Sequence, residues 1–204
     1  MTSTQTTAQF GRFVETPDKS EEYLTLHFSP SASARQERWR NYGLSADFLG
    51  DYFANFFPGG RLAAGALSPR GAIKAAVSFI ANELLENAIK YSDDQVEDPI
   101  VLSLYLYEDY ILFRIINYTS FSIAARYQEF IQTLVSTEDI DTLFTQQMEQ
   151  SALGSGESCL GLLTMICDYG VELGWQFQPL EHGSRMTEVT VLAHLGLQSF
   201  KPEA

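Results

Sequence analysis

The chain has 204 residues, 45% of them hydrophobic and 19% charged, which suits one folded unit and excludes a disordered segment. Thirteen basic residues against 26 acidic ones leave a net charge of -13. That balance excludes nucleic-acid binding through a basic face and electrostatic docking to an anionic membrane. No stretch approaches the roughly 20 apolar residues of a bilayer span, and Met1 to Phe10 lacks the regions of a signal peptide, so a cytoplasmic setting is expected.

Residues 1–20 are rich in Thr, Ser and Gln, carry no period and read as a mobile arm. Residues 21–69 read as a strand followed by an aromatic-rich helical region. Glu22 to Phe28 alternates apolar and polar side chains, and Ser29-Pro30 ends the strand. Ser31 to Phe57 is helical in pattern, with a break expected near Gly43. Its dense aromatics, Trp39, Tyr42, Phe48, Tyr52, Phe53, Phe56 and Phe57, fit either core packing or a face for a partner. Pro58-Gly59-Gly60 breaks the chain.

Ser68 and Pro69 suit the N-cap and first position of a helix running to about Ser92. Its buried stripe is Ile73, Val77, Ile80, Leu84, Ala88 and Tyr91. Asp93 to Pro99 is acidic and turn-like. Ile100 to Leu106 and Ile111 to Ile116 read as a hairpin through Glu108-Asp109. Phe121 to Leu153 is polar and helical, with a helix start at Thr137-Glu138-Asp139. Gly154-Ser155-Gly156 breaks it, and an apolar helix follows from about Ser158 to Leu173. Trp175 to Pro179 and Met186 to Ala193 close the core as two strands around Glu181-His182-Gly183-Ser184, and residues 196–204 form a tail. No βαβ alternation is present. The expected fold is therefore α+β, a two-layer sandwich of a mixed, mostly antiparallel sheet covered by helices. Cys159 and Cys167, eight apart on one helix, read as reduced thiols; His27, His182 and His194 are scattered and suggest no zinc.

One stretch carries chemistry. On a helix, Glu83, Asn87 and Lys90 share a face beside the apolar stripe. An amide oxygen there can ligate Mg²⁺, a carboxylate can accept a proton and an ammonium can neutralise phosphate. The plain alternative is a surface ladder on an amphipathic helix.

Glu83-Leu-Leu-Glu-Asn87-Ala-Ile-Lys90-Tyr91 resembles the N-box of the GHKL ATPase/kinase superfamily, which includes histidine-kinase catalytic domains and anti-sigma-factor serine kinases. The resemblance covers about residues 70 to 194, and an ATP-binding domain is expected over 70–195. It implies ATP and Mg²⁺ as cofactors, Asn87 as the Mg²⁺ ligand and Glu83 as the general base. Lys90 and Tyr91 match the positions that meet phosphate and the adenine face. Asn117-Tyr118-Thr119 stands where the family has an Asp-x-Gly-x-Gly box, so Asn117 takes the position that accepts a bond from the adenine amino group, without the charge. Residues 120–153 sit where the family places a mobile ATP lid. Gly154, Gly156 and Gly161 resemble the phosphate-binding glycine box, although Glu157 and Cys159 replace two of its glycines. Thr187 matches the last family strand, whose threonine bonds near adenine.

With no autophosphorylation histidine on a dimerisation helix, the resemblance is nearest to partner-switching serine kinases. It implies an antagonist or sigma-factor-like protein partner and allows a homodimer; neither nucleic acid nor membrane is expected as a partner. The altered boxes leave a second expectation: a catalytically degenerate scaffold that regulates a partner by binding alone, with the aromatic region as its docking face.

Overall fold

The computed structural model describes residues 6–15, 20, 22–29, 32–59, 68–93, 98–137, 139–152, 160–180 and 185–200, with the backbone alone described at 32–41 and 150–152. Eleven main elements follow in the order β1 (Ala8–Gly11), β2 (Glu22–Phe28), α1 (Ala32–Ala54), α2 (Pro69–Lys90), β3 (Ile100–Leu106), β4 (Tyr110–Ser120), α3 (Phe121–Ser136), α4 (Ile140–Ala152), α5 (Leu160–Cys167), β5 (Glu172–Pro179) and β6 (Met186–Gly196).

Alternating side chains make one face of each strand apolar. On β4, Ile111, Phe113 and Ile115 are buried on the helix side, and Asn117 and Thr119 follow them on the same side. The six strands form one sheet in the order β1-β5-β6-β4-β3-β2. The architecture is the expected two-layer α+β sandwich, but every pairing is antiparallel, so the sheet is not mixed. The cause lies in the β5–β6 hairpin. It inserts β6 between β4 and β5, which run in the same direction and therefore never pair.

Ser68 caps α2 by accepting a hydrogen bond from the Gly71 N–H at 3.2 Å, with Pro69 at the first turn, as the sequence suggests. The stripe Ile73, Val77, Ile80 and Leu84 lies in the core. α1 packs on α2 through Gly50, where a Cβ would lie 2.7 Å from the Lys74 carbonyl oxygen. The expected break at Gly43 does not occur. Tyr42, Ala46, Leu49 and Phe53 form a continuous buried stripe, and one glycine inside a helix costs only about 1 kcal/mol. The aromatics of α1 divide: Tyr42 and Phe53 are buried, whereas Phe48 (51%) faces outward with Phe56 just beyond the helix end, and the aliphatic Leu44 (67%) is exposed too.

Two further differences concern boundaries. Within the stretch read as an arm, Ala8–Gly11 forms an edge strand on β5. The helix expected to reach Leu173 ends at Cys167, because Gly170 at φ +63° turns the chain and the Val171 N–H bonds back to the Met165 carbonyl at 3.0 Å. β5 therefore begins three residues earlier than expected. Asp139 starts α4 as read, its carboxylate accepting the Thr142 N–H at 3.0 Å. Among the described residues no helix is long and apolar enough to cross a membrane.

Candidate functional site

α2 carries Glu83, Asn87 and Lys90 on one side of its buried stripe. The two-layer packing decides what each meets. Glu83 is half-buried, and its carboxylate lies against Gly161 in the first turn of α5; any side chain at Gly161 would collide with it. Burial pushes the Glu83 carboxyl up, with the neighbouring Glu86 charge adding to the shift. The structure thus brings together two of the expected residues, Glu83 and Gly161. Lys90 is exposed, its Nζ 5.1 Å from the centre of the Tyr91 ring.

One helical turn beyond Glu83, Asn87 opens onto a cleft between the helices and the sheet. Leu84 and Asn87 from α2, Ile115 and Asn117 from β4, Tyr127 from α3 and Leu162 from α5 line it. Its free space is about 10 Å³, room for about one water molecule. Asn87 and Asn117, far apart in sequence, therefore share one cleft.

Asn117 is 2% exposed, and among the described residues its Nδ2 has no hydrogen-bond partner. Two residues on, the buried Thr119 Oγ1 is likewise unpartnered. Buried polar atoms without partners are rare because each carries the cost of lost hydration, so both call for a physical reason.

Tyr127 occupies the space that a larger ligand would need. It is buried, and its ring lies parallel to Tyr91, with centroids 4.2 Å apart and planes at 10°. Its hydroxyl accepts a hydrogen bond from Trp175 Nε1 at 3.1 Å. Tyr91 was expected to offer its face to adenine; that face is covered by Tyr127. Nor is the first half of the 120–153 segment a free lid here, since Ala124, Tyr127, Ile131 and Leu134 pack α3 onto the core. Sequence reasoning passed over Tyr127. Its signal was the stripe of these four residues at three- and four-residue steps.

Thr187 sits across the β4–β6 ladder from Thr119, two positions from Asn117. It lines a separate cavity of about 280 Å³ with Phe121, Gln128 and Phe177. Of these two cavities, Asn87 lines the first and Thr187 the second. Gly154 and Gly156 lie outside the described residues, as do Glu157, Cys159 and His182. Cys167 is a free thiol, and burial raises its pKa first, with Asp141 and Asp168 adding to the shift.

Among the described residues no group of three or more His, Cys, Asp or Glu is placed to hold a metal. A magnesium ion needs no such group when one side-chain oxygen, phosphate oxygens and waters complete its octahedron, and the Asn87 amide fits that single role. The purine of a nucleotide does not fit the cleft while Tyr127 fills it. No protein-family model matches the chain, and no curated protein matches it either.

Proposed function

We propose that the chain is an ATP-binding, partner-switching regulator of the GHKL type, acting as a protein-serine kinase on a small antagonist protein. The observation that carries this reading is the placing of Glu83 and Asn87 one turn apart on α2, with Asn87 sharing a cleft with the buried Asn117, whose Nδ2 has no partner among the described residues. Asn87 would hold Mg²⁺ through its amide oxygen, and the ion would draw charge from the transferring phosphate. Lys90, exposed at the same end of α2, supplies a cation for phosphate. Glu83 takes the proton of the substrate serine hydroxyl. Its raised pKa makes it a better proton acceptor than an exposed carboxylate. The remaining work in such a transfer is positioning and charge neutralisation, which suits a site with few reactive groups. Gly154, Gly156 and Gly161 complete the proposed nucleotide contacts, Thr187 reaching a nucleotide only if it extends into the second cavity, and a cytoplasmic antagonist or sigma-factor-like protein is the proposed partner.

Calorimetric titration of ATP, with and without Mg²⁺, tests the reading. Asn87→Ala should lose the Mg²⁺-dependent part of binding. Glu83→Gln should bind ATP as the parent does and transfer no phosphate.

A second reading has its own support. The cleft has room for about one water, and Leu44, Phe48 and Phe56 expose apolar surface along one side of the molecule. These favour a scaffold that regulates a partner by contact alone. Absence of nucleotide binding at millimolar concentration would put this reading first.

A further inference from the structure

β2 closes the sheet on one side, and among the described residues no strand pairs with its outer edge. That edge is long and regular. Glu22 to Phe28 pairs with β3 without a bulge and contains no Pro or Lys, the devices that usually keep an open edge from joining another chain. The opposite edge of the sheet, β1, has only four residues.

An apolar stripe flanks the β2 edge. Two contacts fix how α1 sits beside it. Lys74 of α2 pairs with Asp51 at 2.6 Å, so that flank of α1 faces α2. One residue on, the Tyr52 hydroxyl donates to the Glu22 carboxylate, so the next flank reaches β2. Phe48 and Phe56 lean on Tyr52, with ring centres 6.2 and 5.8 Å from it, and Leu44 lies one turn before Phe48. Leu44, Phe48 and Phe56 are exposed, as is Tyr23 on β2 itself. An open strand edge and an apolar stripe thus lie on one side of the molecule.

We propose that this side receives a second copy of the chain, the two β2 strands pairing antiparallel about a two-fold axis at Thr25 and the two α1 stripes closing beside them. The proposal does not depend on the nucleotide reading. A two-fold contact sets the same patch against itself, and an antiparallel strand edge is complementary to its own copy. Opposed residues must share a face of the sheet, so the axis passes through a residue and not between two. Only an axis at Thr25 pairs all seven residues of β2. It sets Leu24 against Leu26 of the second copy, Tyr23 against His27 and Glu22 against Phe28. No acid then faces an acid across the strands, as a chain of net charge -13 requires. The area is also of the right order. A stable interface takes about 800 Å² from each partner. Tyr23, Phe48 and Phe56, each exposed by about half, leave roughly 300 Å² uncovered. Leu44 and a strand edge about 24 Å long extend the patch towards the full value. A dimer through this face covers the stripe that supports the contact-only reading above.

Sedimentation of the full chain at micromolar concentration should give twice the mass of one chain. Phe48→Glu, and separately Leu44→Glu, place a charge on the stripe. Both side chains are exposed in a single copy, so the thermal transition of the fold should hold while the dimer weakens about tenfold or more. Opposed Cα atoms in an antiparallel pair lie about 4.5–5.5 Å apart, within disulfide reach. Thr25→Cys should therefore oxidise to a dimer linked through the two introduced thiols, identified by mass spectrometry after digestion. In this register the two copies of residue 23 lie about 14 Å apart, so Tyr23→Cys alone should not link. Should Thr25→Cys fail to fold, Tyr23→Cys mixed with His27→Cys carries the same test, and only the mixture should link.

A monomeric parent chain overturns the proposal and leaves the stripe to a different protein. A dimer that both glutamate variants leave at parent strength overturns it too, as does a dimer that links through position 23 alone or not at all.

Discussion

The two halves of α2 meet the same sheet differently. In the first half, Ile73, Ala76, Val77, Ile80 and Ala81 are fully buried, and α1 closes over them through Gly50. In the second half, Leu84, Leu85 and Ala88 continue the stripe, but Glu83 and Asn87 flank it half-buried, and the sheet opposite presents the buried amide of Asn117 beside Ile115 and Val191. Each large aliphatic side chain buried in the first half contributes about 1.5–3 kcal/mol. The second half gives more of this back, in a carboxyl pushed towards its neutral form and two orphaned polar atoms on β4, against one in the first half, Ser78 Oγ. One rigid helix thus anchors the fold at its start and presents polar groups at its end, the arrangement that holds a site's geometry against motion.

The sharpest test of that division is Ile80→Ala. It should cost about 2–5 kcal/mol in urea denaturation, because the cavity left between α2 and the sheet cannot collapse. Binding measured well below the transition should stay near the parent value. Tyr127→Phe comes next: it leaves the Trp175 N–H buried without an acceptor, for a loss of about 1–3 kcal/mol. Asn117→Leu reverses the sign. An apolar group of similar size removes the orphaned donor and should add about 1 kcal/mol, while nucleotide binding weakens. A loss of stability from Asn117→Leu would show that the amide is satisfied and that the second half of α2 faces no orphaned donor.

The parts legible in the sequence were those fixed by near neighbours. The alternation of Glu22 to Phe28, the Ser68-Pro69 cap and the α2 stripe are local periodicities, and each reappears as β2 and α2. The spacing of Glu83 and Asn87 is equally local. β1 was missed because four residues carry too little pattern to declare a strand; its pairing with β5, from Ala8 opposite Phe177 to Gly11 opposite Gly174, is settled across the length of the chain. The same holds for the cleft. Nothing near Asn117 announces that its amide will be orphaned, since that follows from β4 pairing with β6 and from α3 lying across them. Thr187 read as part of the same pocket, but the register sets it opposite Thr119, with Tyr127 filling the space by Asn117. Local chemistry was visible; which groups would face one another was not.

The smallest expected effect concerns Glu83 and depends on pH. Its folded pKa lies above the ordinary value of 4.5, with burial the main cause and Glu86 the lesser one. Between the unfolded and folded values the native state therefore holds more protons than the unfolded chain, so this group's contribution to stability falls as pH rises through that window. Glu83→Gln removes the term. Urea midpoints for parent and variant, compared from about pH 4 to about pH 8, cancel the opposing slopes of the other carboxylates. The variant should gain on the parent as pH rises and then hold a constant advantage, a small one because Glu83 is only half-buried. A variant that is instead less stable at neutral pH would mean that hydrogen bonds hold the carboxylate in its charged form. A carboxylate so held is a poor proton acceptor, and the general-base role proposed for Glu83 would then fail.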